Sequence, residues 1–299
     1  MKRRIAFIIN ERAGTVGAQS IERRRPRIDA IANGGPIVLV RNGDDIAREV
    51  AQALASGCEG IVAGGGDGTL NAVASPLVGT STVFGVLPLG TLNHFAQDAG
   101  LPLDLDAALD VIEHGLVDRV DVGEISGRHF LNNASLGLYV RVVRHRERQR
   151  STLGRGKWPA FAWALWSSLR RFPFMTLHVS IDGHETQCRS PFLFIGNNRY
   201  EMSGFSIGRR ASLQAGELSI YAAQRAGRGR LFVLAMHALL GRVDRADDFR
   251  MTAGQYLRVN SEHATLQVAT DGEITRLATP LECRIHTRAL KLYVPSKEP

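Results

Sequence analysis

Cysteines and long hydrophobic runs are both scarce in this sequence. The three cysteines, Cys58, Cys188 and Cys283, lie far apart and match neither a metal-binding nor a redox spacing. We therefore expect buried thiols in a reducing cytosol rather than disulfides. No stretch approaches the roughly 18 apolar residues of a membrane span. The apolar run at residues 5–10 is too short for a signal-peptide core and predicts a buried first strand.

Lysine is scarce as well, and acidic residues do not balance the cations. Lysine and arginine together number 37, against 29 aspartates and glutamates, which leaves a net charge of +8. A net positive charge favours an anionic partner such as a nucleotide, a nucleic acid or an acidic membrane surface. The hydrophobic fraction of 44% and the charged fraction of 22% are typical of globular proteins and exclude a disordered or fibrous chain.

Short apolar runs alternate with helical patterns in the first part of the chain. The predicted strands are 5–9, 36–40, 61–63 and 82–87, and the predicted helices are 16–33, 44–56, 70–77 and 105–114. This alternation indicates parallel strands with crossover helices, the layered α/β class. We expect Asp104 to cap the last of these helices, which Gly115 ends.

The pattern changes after about residue 118, where short β-rich pieces are broken by glycine, asparagine and proline. Such pieces are typical of an antiparallel β-sandwich or barrel. Two stretches inside this half, 154–171 and 229–241, have a helical pattern instead. We place a domain boundary near residues 120–125.

A glycine-rich loop at residues 64–69 (GGGDGT) follows a predicted strand and opens a helix. Consecutive glycines let a ligand approach the backbone, and the helix that follows directs free N–H groups at a bound phosphate. An aspartate inside the loop, Asp67, repels phosphate but suits contact with Mg²⁺, a ribose hydroxyl or the attacking group. The alternative is a tight turn in which Asp67 only caps the helix.

Two more loops are predicted at the same edge of the sheet. Residues 88–93 (PLGTLN) and 10–14 (NERAG) each follow a predicted strand. Because ligands of open α/β sheets bind outside the carboxyl ends of the strands, three such loops favour a nucleotide. The pattern is neither a Walker A motif nor a dinucleotide-binding fingerprint.

The motifs GGGDGTLN and PLGTLNHFAQDAGLP resemble the diacylglycerol kinase catalytic family, which also contains sphingosine kinases, ceramide kinases and small bacterial lipid kinases. The similarity continues through residues 120–138, 195–208, 271–273 (DGE) and 289–295, and so covers nearly the whole chain. GGDGT alone is shared with NAD kinases. The second loop and the β-rich second half favour the lipid kinase branch.

This resemblance implies an α/β N-terminal nucleotide-binding domain over 1–122 and an all-β C-terminal sandwich domain over 123–285, with the active site in the cleft between them. A last segment, 286–299, is expected to return to the first domain. The resemblance implies nucleotide contacts for Asn10, Gly14, Gly64, Gly65, Gly66, Asp67, Gly68, Thr69, Asn71, Gly90 and Thr91. Glu273 matches the general base of bacterial members, and Asp67 matches an acidic residue credited with that role, or with metal binding, in sphingosine kinases.

Three places depart from the family pattern. Glu11 stands where a proline is usual, and Arg41 or Asn42 stands where a threonine often touches ATP. The acidic segment that holds a structural Mg²⁺ in bacterial members reads QAGELS at residues 214–219, without the two aspartates and with Glu217 out of register. Since hard cations need carboxylate oxygens, we expect no structural ion there.

A basic and aromatic stretch fills residues 154–174, with Trp158, Trp163 and Trp166 among its aromatic residues. Such a stretch suits an anionic membrane interface, and the alternative is a core helix beside a solvated arginine-rich loop.

The roles of two polar residues in the helix after the second loop also stay open. His94 is either a nucleotide contact or a packed histidine, and Asp98 either binds a cation in the cleft or is solvated.

The sequence therefore predicts an ATP-dependent kinase that phosphorylates a lipid hydroxyl on a diacylglycerol-like or sphingoid-like acceptor. ATP and Mg²⁺ are the expected cofactors, with Asp67 touching the nucleotide's Mg²⁺. We expect a cytoplasmic protein in peripheral contact with an anionic membrane surface, no nucleic-acid partner, and, as an open alternative, a homodimer. The other functions left open are a kinase of a soluble acceptor such as NAD and a catalytically degenerate nucleotide-binding regulatory protein.

Overall fold

The computed structural model describes residues 3–11, 20–137, 174–203, 206–222 and 250–296. The helices are α1 (Arg25–Ala32), α2 (Gly43–Ala55), α3 (Asp67–Ala74), α4 (His94–Asp98) and α5 (Leu105–His114), with a 3₁₀ turn at Ser75–Leu77. The strands of the first half are β1 (Ile5–Asn10), β2 (Ile37–Val40), β3 (Gly60–Gly65), β4 (Val83–Pro88), β5 (Leu116–Ile125), β6 (Arg128–Phe130) and β7 (Asn133–Gly137). The later strands are β8 (Met175–Ile181), β9 (His184–Ser190), β10 (Phe192–Asn197), β11 (Tyr200–Ser203), β12 (Ser206–Arg210), β13 (Leu218–Ala222), β14 (Arg250–Gly254), β15 (Tyr256–Ser261), β16 (Thr265–Thr270), β17 (Glu273–Ala278) and β18 (Leu281–Val294).

The N-terminal half is the predicted layered α/β domain. Its strands pair in parallel in the order β2-β1-β3-β4. One face of this sheet packs against α2 and α3, and the other packs against α1 and α5. Helices therefore cover both faces, which explains why β3 is buried along its whole length.

The helix ends follow local capping chemistry. Asp104 accepts hydrogen bonds from the backbone of the first turn of α5, which confirms the predicted cap. The side chain of Asn42 caps α2 in the same way, so that helix begins at Gly43, one residue earlier than predicted. The alternative role of Asp67 as a helix cap for α3 is wrong, because Gly66 holds that position and Asp67 is the first helical residue.

A long last strand joins the two halves of the molecule. β18 pairs in parallel with β4 near its C-terminal end and antiparallel with β15 near its N-terminal end. In the described part of the chain this makes one sheet with the order β2-β1-β3-β4-β18-β15-β8-β9, and β5 lies antiparallel along β18.

A second, antiparallel sheet completes the C-terminal half. Its strand order is β14-β13-β10-β7-β16-β17. It packs against the β15 and β8 side of the first sheet through one apolar cluster that includes Ile195, Leu257 and Val268. The predicted α/β domain followed by a β-sandwich is therefore confirmed.

The three cysteines are buried and unbridged, as predicted. No helix in the described ranges is long and apolar enough to cross a membrane. The helices predicted at 154–171 and 229–241 lie outside the described residues, and so does the basic and aromatic segment apart from Phe174. The exact domain limits stay predictions.

Candidate active site

The two glycine loops meet in backbone contact at the carboxyl edge of the parallel sheet. The backbone N–H of Leu89 donates to the carbonyl of Gly65 at 3.1 Å. A β-carbon built on Gly90 would lie 2.5 Å from the α-carbon of Gly66, a distance at which backbone atoms must move apart. Glycine at position 90 is thus required for the two loops to touch.

Several of the predicted nucleotide contacts line this edge. Asn10, at the end of β1, donates from Nδ2 to the hydroxyl of Thr69 at 3.0 Å. A β-carbon on Gly65 would lie 2.5 Å from the β-carbon of Thr69, so the loop curls tightly over the first turn of α3. Thr91 is exposed in the second loop. Gly14 lies outside the described residues.

Asp67 connects the phosphate loop to the second loop and to the β-rich half. Its Oδ2 accepts from the backbone N–H of His94 at 3.2 Å, and its Oδ1 accepts from that of Phe95 at 3.0 Å. The amide of Asn132 also donates to Oδ1 at 3.4 Å. The carboxylate therefore fixes the start of α4 instead of capping its own helix.

A tight hairpin places Glu273 beside the phosphate loop. Asp271 and Gly272 form the two-residue turn between β16 and β17, with positive φ of 46° and 93°. The Asp271 carboxylate accepts three backbone hydrogen bonds from residues 131–133, at 2.6, 2.9 and 3.0 Å. The turn is thus fixed, and a β-carbon built on Gly68 would lie 3.9 Å from Glu273 Oε1.

Burial changes the pKa of the Asp271 carboxyl group. Desolvation raises the pKa of Asp271 to about 6, and the negative charge of Asp67 adds to the rise, whereas the backbone donors oppose it. This edge therefore gathers three carboxylates, of which Asp67 and Asp271 are half-buried and Glu273 is exposed. Carboxylate oxygens are the ligands that a nucleotide's Mg²⁺ prefers.

A buried arginine supports this arrangement from behind. The side chain of Arg210 is 0% exposed, and its Nε pairs with Asp98 at 2.7 Å. Its two terminal nitrogens donate to the carbonyl of Leu131 at 2.6 Å and to the side-chain oxygen of Asn132 at 2.9 Å. The solvated alternative for Asp98 is wrong, and the cation that it binds is Arg210.

Asn132 and Arg210 were missed as site residues by sequence reasoning. Asn132 lies inside a segment that carries the family resemblance, which is a usable signal. Arg210 and Asp98 are 112 residues apart in the sequence, so no local sequence pattern predicts their contact.

Two departures from the family pattern compensate each other. Arg41 pairs with Glu11 at 2.6 Å at the ends of β1 and β2.

In the segment expected to lack a structural ion, Glu217 pairs with Arg199 at 3.4 Å. The expected absence of a structural ion in this segment stays a prediction. Asn71 donates from Nδ2 to a backbone carbonyl of β6 at 3.1 Å, and its predicted contact with the nucleotide stays a prediction.

Known proteins match both halves of the chain. The diacylglycerol kinase catalytic domain matches residues 4–125, and the YegS C-terminal NAD kinase beta sandwich-like domain matches residues 132–294. A "Probable lipid kinase YegS-like" protein of Pseudomonas syringae pv. syringae is 37% identical over 189 residues, which cover 61% of this chain and 59% of that protein. A "Diacylglycerol kinase" of Staphylococcus saprophyticus subsp. saprophyticus is 37% identical over 100 residues, or 33% of each chain.

The chain thus spans 59% and 33% of the lengths of these two curated relatives. A crystal structure of a diacylglycerol kinase from Bacillus anthracis str. Sterne superposes with a TM-score of 0.70 over 98% of this chain and 97% of that one. At 20% identity this likeness shows the fold. The two domain matches together show that the chain belongs to the family that combines a diacylglycerol kinase catalytic domain with a YegS C-terminal NAD kinase beta sandwich-like domain.

Proposed function

We propose that the protein is an ATP-dependent kinase that phosphorylates the hydroxyl of a diacylglycerol-like or sphingoid-like lipid. The observation that carries the proposal is the carboxylate of Glu273, whose Oε1 lies 3.9 Å from a β-carbon built on Gly68. A proton acceptor beside a phosphate-binding loop is the arrangement that transfer to a hydroxyl requires. The names of the curated relatives support the lipid acceptor.

The loops fit the phosphates of ATP. Neither Gly66 nor Gly90 carries a side chain that would cover the backbone. A β-carbon on Gly90 would collide with the facing loop, whereas one on Gly66 would reach van der Waals contact with Gly90 at 3.4 Å. The free N–H groups at the start of α3 favour an anion in front of residues 64–69. When bound with the nucleotide, Mg²⁺ supplies charge neutralisation, and the carboxylate of Asp67 is the group that would hold it.

Asp67, Asp271 and Glu273 have different roles in the proposed reaction. Asp67 fixes the start of α4, directly after the second loop, through the backbone of His94 and Phe95, so that both loops face one ligand. Asp271 holds the turn before Glu273 in place through its three backbone bonds. Glu273 is free to take the proton from the lipid hydroxyl because its side chain is exposed to the cleft.

Substitutions that keep shape and delete charge test these roles. Asp67→Asn and Glu273→Gln should each lower turnover by about 10²–10⁴-fold while ATP binding persists, because proton abstraction and metal contact need the negative charge. Glu262→Gln, at an exposed loop between β15 and β16, is the matched control and should keep full turnover. Wild-type turnover in either active-site variant contradicts the role proposed for that residue.

The description of the matched C-terminal domain as NAD kinase-like supports a second candidate, transfer to NAD. One assay with labelled ATP separates the candidates when lipid and NAD are offered together. Label in the organic phase supports the lipid acceptor, and label in NAD supports the second candidate. ATP binding without transfer to either acceptor supports the degenerate regulatory protein.

We further propose peripheral contact with an anionic membrane, which rests on the sequence of residues 154–174. Each cation near such a surface contributes ~1 kcal/mol, and the attraction weakens with salt. The test changes four cations to glutamine: Arg155, Lys157, Arg170 and Arg171. Sedimentation with anionic vesicles should fall, while activity on detergent-dispersed lipid should persist. Unchanged vesicle binding contradicts the proposal.

A homodimer, which we also keep as a proposal, is tested by light scattering.

A further inference from the structure

Three strands bring two histidines and a glutamate together outside the proposed active site. One ligand atom each from Glu124 in β5, His129 in β6 and His286 in β18 lies within 4.8 Å of the other two. Glu124 is directly opposite His129 in one ladder and opposite Arg284 in the other. Because side chains alternate along a strand, His286 shares the face of Arg284, and all three ligand side chains meet there.

The cluster is compact and half-buried. His286 Nε2 lies 2.6 Å from Glu124 Oε2, and the ring centroids of His129 and His286 are 5.5 Å apart. The exposed fractions of the Glu124 and His286 side chains are 14% and 32%, so both side chains are partly accessible to solvent.

Two of the three ligands are also held by a second partner, which is how metal-binding side chains are usually oriented. The ring of His129 hydrogen-bonds the backbone of Ser75. Glu124 Oε1 accepts from the backbone N–H of Gly127 at 3.2 Å and lies 3.7 Å from Arg284 Nε. These contacts occupy one oxygen of Glu124 and leave Oε2 directed at the histidines.

We propose that Glu124, His129 and His286 form a site for a divalent transition metal of the Zn²⁺ type, separate from the kinase reaction. Two imidazole nitrogens and one carboxylate oxygen are a ligand set that Zn²⁺ accepts with a further position left for water. Mg²⁺ and Ca²⁺ prefer oxygen ligands throughout, so the nucleotide's metal does not fit here.

The position of the site indicates what the ion would do. The carbonyl of His129 accepts a hydrogen bond from Asn71 of α3 at 3.1 Å, and Ser75 follows the same helix. A metal held by β5, β6 and β18 would therefore clamp the strands of the β-rich half against the helix that follows the phosphate loop.

Calorimetric titration of the untagged full-length protein with ZnCl₂, after EDTA treatment and without nucleotide, tests the site. The wild type should bind one Zn²⁺ per chain, and excess Mg²⁺ should not compete. His286→Gln and Glu124→Gln should each weaken binding by roughly tenfold or more, since loss of even an outer partner of a ligand costs 10–100-fold. The control His263→Gln, at an exposed histidine away from the cluster, should bind as the wild type does.

A variant of the active-site carboxylates separates this proposal from the proposed function. Asp67→Asn/Glu273→Gln should retain Zn²⁺ binding, whether or not the protein proves to be a lipid kinase. Zn²⁺ should also raise the melting temperature of the wild type and not that of His286→Gln. Absence of wild-type binding, equal binding by His286→Gln, displacement by Mg²⁺ or loss of binding in the Asp67→Asn/Glu273→Gln variant overturns the proposal. If Glu124→Gln does not fold, His286→Gln carries the test because its side chain is the more exposed.

Discussion

Replacement of Arg210 by methionine should destabilise the protein strongly, because it leaves the charge of Asp98 buried and unpaired. The side chain of Asp98 is 6% exposed, and Arg210 Nε at 2.7 Å is the cation that pairs with it in the described structure. Removal of one partner from a buried ion pair costs about 3–5 kcal/mol of unfolding free energy. At about 2–4 °C per kcal/mol, the melting temperature should fall by roughly 6–20 °C.

The neighbouring arginine provides a matched control. Arg209 is exposed and donates to Gln97 at 3.4 Å, from the same strand to the same helix. Arg209→Met removes the same charge and the same guanidinium, yet it should change the unfolding free energy by less than about 0.5 kcal/mol. The double variant Arg210→Met/Asp98→Asn should recover part of the loss, since the unpaired buried charge is gone.

Thermal unfolding followed by circular dichroism measures all three variants. We also expect Arg210→Met to lower kinase turnover, because Asn132 loses the guanidinium that orients it towards Asp67. A melting temperature for Arg210→Met equal to that of Arg209→Met would refute the reasoning from burial.

Two further predictions follow from the loops and the buried carboxylate. Gly90→Ala should cost about 1–3 kcal/mol and lower turnover because its β-carbon would strike the backbone of Gly66, whereas Gly43→Ala has nothing within 4 Å and should be tolerated, as chemical denaturation would show. Asp67→Asn should lower the pKa of Asp271 from about 6, since a neighbouring negative charge is lost, and carbon-13 NMR titration of the carboxyl groups measures this directly. An unchanged or raised pKa contradicts the proposed proximity of the two carboxylates.

The loops of the site could be predicted from the sequence because glycines mark the ends of buried strands. Residues 64–69 and 88–93 each follow an apolar run, and parallel strands bring their carboxyl ends to one edge. The Asp-Gly pair at 271–272 is a strong hairpin signal between two β-rich pieces. These local features are sufficient to place the loops and the turn before Glu273.

The contacts between distant segments could not be predicted in the same way. Asp67 accepts from the backbone of His94 and Phe95, a contact that neither the predicted ligand role nor the alternative role as a helix cap had included. Arg210 and Asp98 are 112 residues apart in the sequence, and their contact joins the two halves of the chain. The pairing of β18 with both halves also joins distant segments, and here the expectation that residues 286–299 return to the first domain came from the family resemblance and not from a local pattern.

The most direct test of the central claim is transfer of labelled phosphate from ATP by the purified full-length protein. The assay offers diacylglycerol, a sphingoid base and NAD together, and mass spectrometry identifies the product. The proposed lipid kinase activity predicts a phosphorylated lipid that Glu273→Gln fails to form and Glu262→Gln forms normally. Phosphorylated NAD as the sole product, or lipid phosphorylation that persists in Glu273→Gln, would contradict it.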